Sequence, residues 1–217
     1  MSGNRTRGQR AGLTRQAVLE AAMTLVDRDG LKALSMRRLG AELGVEAMTL
    51  YSHVSSKDAL LDGLVEQLFA RVAPQPFTSA SWQAELRDYA HSLLAALLAH
   101  PNMILLVASR PATTSQNLRT MENALEMLRV AGFPPNIALD MLYAVSGFVV
   151  GHVTTISRDG AAPDQTRSLS DVDPDEFPLL AEAARAGHPT GPHARFDFAL
   201  DAMLSGFEAA RTARSPR

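Results

Sequence analysis

Apolar residues recur at helical spacing along almost the whole chain, and the runs are separated by glycine, proline and hydroxyl residues. Val18, Leu19, Ala22, Leu25 and Val26 form one such run, which Thr14 can cap and Arg28-Asp29-Gly30 can close. Ser35 opens a second segment with Met36, Leu39 and Leu43 on one face, and Gly44 supplies the positive φ that a sharp turn needs. A third, short helix is expected over 47–52. Ser55 with Asp58 resembles a capping box ahead of a fourth, longer helix whose apolar face is Leu60, Leu61, Leu64, Val65 and Leu68.

Pro74, Pro76 and the polar run 78–81 break this pattern, so the chain divides into a basic arm (1–12), an N-terminal domain (13–73) and a larger body (74–217). The body is again helical. Helices are expected over 82–100, 103–109, 116–131, 136–157, 179–186 and 193–211, with Pro101, Arg110-Pro111, Gly132 and Pro134-Pro135 as the stops between them. Residues 159–176 hold Gly160, Pro163, Pro174 and, from Asp164 to Glu176, five Asp or Glu, the composition of a mobile acidic loop. No strand pattern and no internal repeat is present, which predicts an all-α fold of about ten helices: a three-helix, homeodomain-like helix-turn-helix followed by a helical body.

The net charge of −2 is unevenly distributed. Residues 1–60 carry nine Lys and Arg against six Asp and Glu (+3), and residues 61–217 carry twelve against seventeen (−5). A cationic end on an acidic body suits a protein whose one end meets phosphate. Zero cysteines exclude a disulfide framework and a thiolate nucleophile or metal site. The first residues have no apolar stretch behind Arg5, Arg7 and Arg10, and no run of about 18 uninterrupted apolar residues occurs, so a cytoplasmic protein without a membrane span is expected.

A capped helix, a glycine turn and a short helix with an exposed aromatic and basic neighbours make a device for placing side chains in a major groove. Arg37 and Arg38 lie in the first turn of the second helix, where the macrodipole disfavours cations by a few tenths of a kcal/mol. A DNA phosphate reverses that sign by accepting bonds from the helix amides, the Ser35 hydroxyl and the guanidinium groups. On the short helix Leu50 and Val54 face inward, while Ala47, Met48, Tyr51 and Ser52 share an outward arc. Ala47 and Met48 suit thymine methyls, and Tyr51 suits the sugar-phosphate wall. Lys57 repeats the cation at a helix start. His53 serves either phosphate or the helix end, and the arginines of the arm either reach the duplex or form a solvated tail.

The motifs Gly-Leu-x-x-Leu-Ser-Met-Arg-Arg-Leu-Gly, Leu-Gly-Val, Thr-Leu-Tyr-x-His-Val and Lys-x-Ala-Leu-Leu, within residues 13–64, resemble the N-terminal domain of the tetracycline-repressor (TetR) family of bacterial regulators. The resemblance implies an all-helical homodimer on a roughly palindromic double-stranded operator, with Arg37, Ala47, Met48, Thr49, Tyr51, His53 and Lys57 at DNA-contacting positions. Ser-Trp-Gln-x-x-Leu-Arg, Arg110-Pro111 and Met121-Glu122-Asn123-Ala124-Leu125 resemble, more loosely, the tetracycline repressor's own type of ligand and dimerisation domain.

In that type a pocket histidine four residues before Arg-Pro helps hold a drug-chelated magnesium, and the matching position is Leu106. Other polar pocket positions fall on Ala73, Tyr89 and Ala124. No His and carboxylate cluster at metal-ligand spacing stands in the sequence, so neither metal nor cofactor is expected, and the implied small-molecule effector is largely apolar. Candidate lining residues are Trp82, Tyr89, His100, Met103, Leu106, Met121, Leu125, Tyr143 and His152, each of which also reads as plain core.

Phe196, Leu200, Met203 and Phe207 form a stripe on the last helix, and Gly147 and Gly151 permit close helix approach. Together they suggest a four-helix dimer interface, with packing inside one subunit as the alternative. The functional expectation is a ligand-released repressor. The rivals are an effector-independent architectural or division-control protein on the same fold, and a helical enzyme, for which no nucleophile with a base and no paired carboxylates stand out.

Overall fold

A computed structural model of the chain describes residues 13–72, 81–110, 112–159, 172–186 and 191–214. The basic arm, the expected domain boundary near 73–80, Pro111 and most of the expected acidic loop lie outside the described residues.

The first three helices are α1 (Arg15–Asp29), α2 (Met36–Glu42) and α3 (Ala47–Leu50), with a 3-10 turn at Leu31–Ala33. Thr14 Oγ1 accepts from Ala17 N at 3.1 Å and Ser35 Oγ from Arg38 N at 3.2 Å, each satisfying an amide that the first helical turn leaves without a partner. Gly30 (φ 80°) and Gly44 (φ 67°) take the left-handed region at the two sharp exits. Gly40 has a different task. A Cβ there would lie 2.8 Å from the Val45 carbonyl oxygen and 3.2 Å from Ala47 N, so only glycine lets α2 meet the turn into α3 this closely.

Helix α4 (Lys57–Val72) crosses α1 at Gly63, where a Cβ would stand 2.7 Å from Leu19 Cδ2. Its cap is Ser56, one residue later than the sequence suggests: Ser56 Oγ accepts from Ala59 N at 3.0 Å. Helix α3 is likewise shorter than expected. It closes at Leu50, and Tyr51 to Val54 continue as turns whose amides return to Thr49 and Leu50.

The body comprises α5 (Trp82–Ala99), a 3-10 turn at Pro101–Met103, α6 (Ile104–Ser109), α7 (Ser115–Val130), α8 (Pro135–Asp159), α9 (Pro178–Ala186) and α10 (Gly191–Arg214). The described residues contain no strand. Helix α8 runs through the middle, burying Ala138, Met141, Val145, Val149 and Val153 at a spacing that holds one face against its neighbours. By length and composition Pro135–Ile156, at mean hydropathy 1.5, is apolar enough to cross a membrane, although polar residues from Asn136 and Asp140 to His152 interrupt its apolar run. Its buried face is part of the body's core.

One continuous apolar core runs from α1 to α10. The two halves also meet through polar contacts: Asn102 Nδ2 donates to the Val26 and Asp27 carbonyls at the end of α1 (2.9 and 3.0 Å), and His100 Nδ1 lies 2.9 Å from Asp27 Oδ2. The N-terminal domain is thereby fixed to the body by α4 on one side and by the 3-10 turn on the other.

Candidate DNA-contacting face and ligand cavity

Helix α3 is anchored by fully buried Leu50, with Val54 buried just beyond it, and it turns Met48 (74% exposed) and Tyr51 (43% exposed) to solvent. Ala47 and Thr49 are half-buried beside them. Such exposure of a methionine and an aromatic ring on a one-turn helix leaves them free to meet a partner. Arg37 and Lys57 flank this face, both exposed and neither in an ion pair among the described residues. His53 is half-buried, its amide bonded to the Leu50 carbonyl at 2.9 Å.

Arg38 is placed otherwise. Its Nη2 lies 2.6 Å from Asp29 Oδ2, and Arg28 bridges Asp29 and Glu42, so the negative group beside it belongs to α1. This network ties the end of α1 to α2. The Arg28 guanidinium, chiefly through its hydrogen bonds, holds the Asp29 and Glu42 carboxyls below the usual carboxylate range. Ser35 is a structural cap, so its hydroxyl already accepts an amide.

The body encloses a cavity of about 620 Å³ between α4, α5, α6, α7 and α8, within the size range of small-molecule sites. Of the nine candidate lining residues, Tyr89, Met121 and Tyr143 are on its wall. The other six are used elsewhere. Trp82 sets its ring edge-on against Phe133, with centroids 4.9 Å apart, and Met103 and Leu106 are buried core. Leu125 packs against that core, His100 belongs to the joint with α1, and the His152 ring lies against Phe148 and Phe196. Helical periodicity marks such residues as apolar but does not say on which side of a helix the space lies.

Three wall residues escape a periodicity reading. Glu85 and Asn117 are polar yet 7% and 6% exposed, and Arg110 combines a place on the wall with a grip on α4. Arg110 Nη1 is 2.5 Å from Asp62 Oδ1, and Nη2 is bonded to Asp58. The signal for this clamp is Asp58 and Asp62, one helical turn apart on the exposed side of α4. Among the described residues no group of three His, Cys, Asp or Glu is placed to hold a metal ion.

The expected dimer residues separate into two sets. Phe196 and Leu200 are 1% and 0% exposed and pack inside the subunit, Phe196 stacking on Phe148 with centroids 5.0 Å apart, which is the intrasubunit alternative. Met203 and Phe207 are half-buried, Gly147 lines the cavity, Gly151 faces open space, and Phe198 on α10 is 76% exposed. The stripe read from α10 lies on the helix's inner face, buried at Phe196 and Leu200 and half-buried at Met203 and Phe207.

Comparison with known proteins places both halves. Residues 18–64 match the profile described as "Bacterial regulatory proteins, tetR family", and residues 74–211 match "Tetracyclin repressor-like, C-terminal domain". The chain is 32% identical over 213 residues to the class D tetracycline repressor protein of Escherichia coli, covering 94% of this chain and 93% of that one. It is 30% identical to the transcriptional repressor DrrR1 of Streptomyces coeruleorubidus, over 94% and 80% of the two chains. Among solved structures, apo ActR of Streptomyces coelicolor superimposes with a TM-score of 0.81 at 27% identity, over 94% of this chain and 98% of that one; ActR has also been solved in complex with actinorhodin.

Proposed function

Because this chain belongs to the TetR family of DNA-binding transcriptional regulators, with the family's N-terminal domain and its tetracyclin-repressor-like C-terminal domain, we propose that it is a dimeric cytoplasmic repressor, released from a palindromic operator when a largely apolar small molecule fills the cavity. The observation that carries this reading is Arg110, which lines the cavity and at the same time grips Asp58 and Asp62 on α4. Ligand that displaces the wall at Arg110 pulls on the helix next to α3. Two recognition helices must stay about 34–36 Å apart to fit successive major grooves, so a small tilt of α4 is enough to lower operator affinity.

Met48 and Tyr51 face the bases and the sugar-phosphate wall, with Ala47, Thr49 and His53 beside them, and Arg37 and Lys57 neutralise phosphates on either side. The dimer forms through the outer faces of α8 and α10. On α8 the exposed stripe is Ala144, Gly151 and Thr155; on α10 the exposed aromatic residue is Phe198. Small residues on one helix admit aromatic residues from the other, and a closed two-fold pairing covers both. That ActR has been solved in complex with actinorhodin is consistent with reading this cavity as a small-molecule site.

The deciding experiment is footprinting of the DNA upstream of the chain's own gene, with and without a panel of ring-containing apolar compounds. A protected, two-fold symmetric site that one compound clears supports the proposal. Many dispersed sites that no compound clears refute it in favour of an architectural protein.

A further inference from the structure

One turn of the body grips the N-terminal domain at both of its ends. The 3-10 turn Pro101–Met103 leaves α5 through His100, and the proline ring at its start fixes the backbone there. Asn102 Nδ2 has two hydrogens, and both are spent on the close of α1: one on the Val26 carbonyl at 2.9 Å, the other on the Asp27 carbonyl at 3.0 Å. The last turn of a helix leaves its carbonyls without intrahelical donors, so Asn102 caps α1 from outside its own domain.

His100 adds two side-chain links. Its Nδ1 is 2.9 Å from Asp27 Oδ2 on α1, and its Nε2 is 3.4 Å from Arg71 Nη1 in the last turn of α4. A guanidinium has no lone pair to offer, so Nε2 is the acceptor and Nδ1 donates its proton to Asp27. The ring therefore spans α1 and α4 in one orientation. Helix α1 leads into the segment that carries α2 and α3, and α4 leads out of it, so that segment is held at entry and exit by two residues of the body.

We infer that Asn102 and His100 are positioning residues for operator recognition: they lock the angle of the N-terminal domain on the body and so make the dimer select the distance between operator half-sites. This rests on the reading of the chain as a dimer on a two-fold symmetric operator. One added base pair moves a half-site about 3.4 Å along the duplex and turns it by about 35°. A domain that swivels on the body follows that change. A locked one reaches the second groove only by breaking its joint, and the joint resists by no more than its bonds are worth, which for these partly exposed hydrogen bonds is about tenfold in affinity.

The test uses the full chain and duplexes recovered from a random library by repeated rounds of binding. Three duplexes are made from the selected motif: the motif itself, the motif with one base pair inserted at its centre, and a single half-site. The unmodified protein is expected to bind the lengthened motif about tenfold or more weakly than the motif. Asn102→Ala combined with His100→Ala, which removes only bonds away from the DNA-contacting face, narrows that penalty to about threefold or less and leaves half-site affinity unchanged. A general loss of fold would not separate the two. If the unmodified protein binds the lengthened motif as well as the original, a comparison that needs no variant, the inference is overturned. A penalty that survives intact in the double variant, or an equal fall on all three duplexes, overturns it too. Recovery of no two-fold motif overturns the dimeric reading on which it rests.

Discussion

Arg110 Nη1 sits 2.5 Å from Asp62 Oδ1, so a residue on the cavity wall is ion-paired to the helix that follows the recognition turn. The pair is partly exposed, and its direct contribution to stability is therefore small. Its position matters more. Replacing Arg110 with methionine keeps the apolar stem and removes the grip, so ligand affinity is expected to change by no more than a few-fold while ligand-driven release from the operator is lost. Gel-shift titrations with and without ligand separate the two quantities, and release as complete as in the unmodified protein would remove Arg110 from the coupling route.

Gln67, on α4, is 8% exposed, and neither its amide nitrogen nor its oxygen has a partner among the described residues. Both atoms have given up water for nothing in return, at about 1–3 kcal/mol for such a group. Methionine has nearly the same shape without that cost. Gln67→Met is expected to raise stability by about 1 kcal/mol, seen as a rise of a few degrees in the thermal midpoint. A lower midpoint would mean that the amide is satisfied in solution, by water or by a movement of α4.

The network at the end of α1 makes a pH-dependent prediction. Glu42 and Asp29 are held below their ordinary values by the Arg28 guanidinium, so they contribute stability above the unfolded carboxylate values, near pH 4, and lose it as pH falls through the folded ones. Glu42→Gln is therefore expected to lower the urea midpoint at pH 7 and to converge on the unmodified protein below about pH 3. Both carboxylates are exposed, so the difference is small at any pH. A gap that persists unchanged into acid would show that Glu42 acts through packing instead.

Most of the helical plan was legible because its signals are local. Thr14 and Ser35 cap where their hydroxyls predict, and Gly30 and Gly44 turn where their φ freedom is needed. Ser55 and Ser56 are equally good caps by composition, and only the fold chooses between them. Three-dimensional relationships were not legible. The sequence shows Arg38 as a free cation, yet Asp29 neutralises it from another helix. It shows Phe196 and Leu200 as a stripe to be covered, yet their own subunit covers them. It gives no sign that Asn117 lines a cavity, because a lone amide in an amphipathic helix has no period. The need for glycine at position 40 is equally invisible in the sequence: what forbids its Cβ is the Val45 carbonyl five residues later, a contact that exists only once the turn has formed.

Lys57 and Met48 separate charge from readout at the DNA-contacting face. Lys57 is exposed at the start of α4 with no ion-pair partner among the described residues, and Met48 is 74% exposed on α3. Neither is part of the core, so substitution of either leaves the fold intact. If Lys57 lies on a phosphate, Lys57→Ala removes one counterion-releasing contact: binding weakens for specific and random duplexes alike, and the slope of log affinity against log salt falls by about 0.9. Met48 carries no charge. Its replacement by alanine is expected to leave that slope unchanged and to alter the ranking of operator variants at one base position, by about 1–3 kcal/mol. Fluorescence-anisotropy titrations across a salt series, on the operator and on single-base variants, measure both effects together. A slope that stays the same in Lys57→Ala, combined with an unaltered ranking in Met48→Ala, would move the DNA-contacting face away from α3.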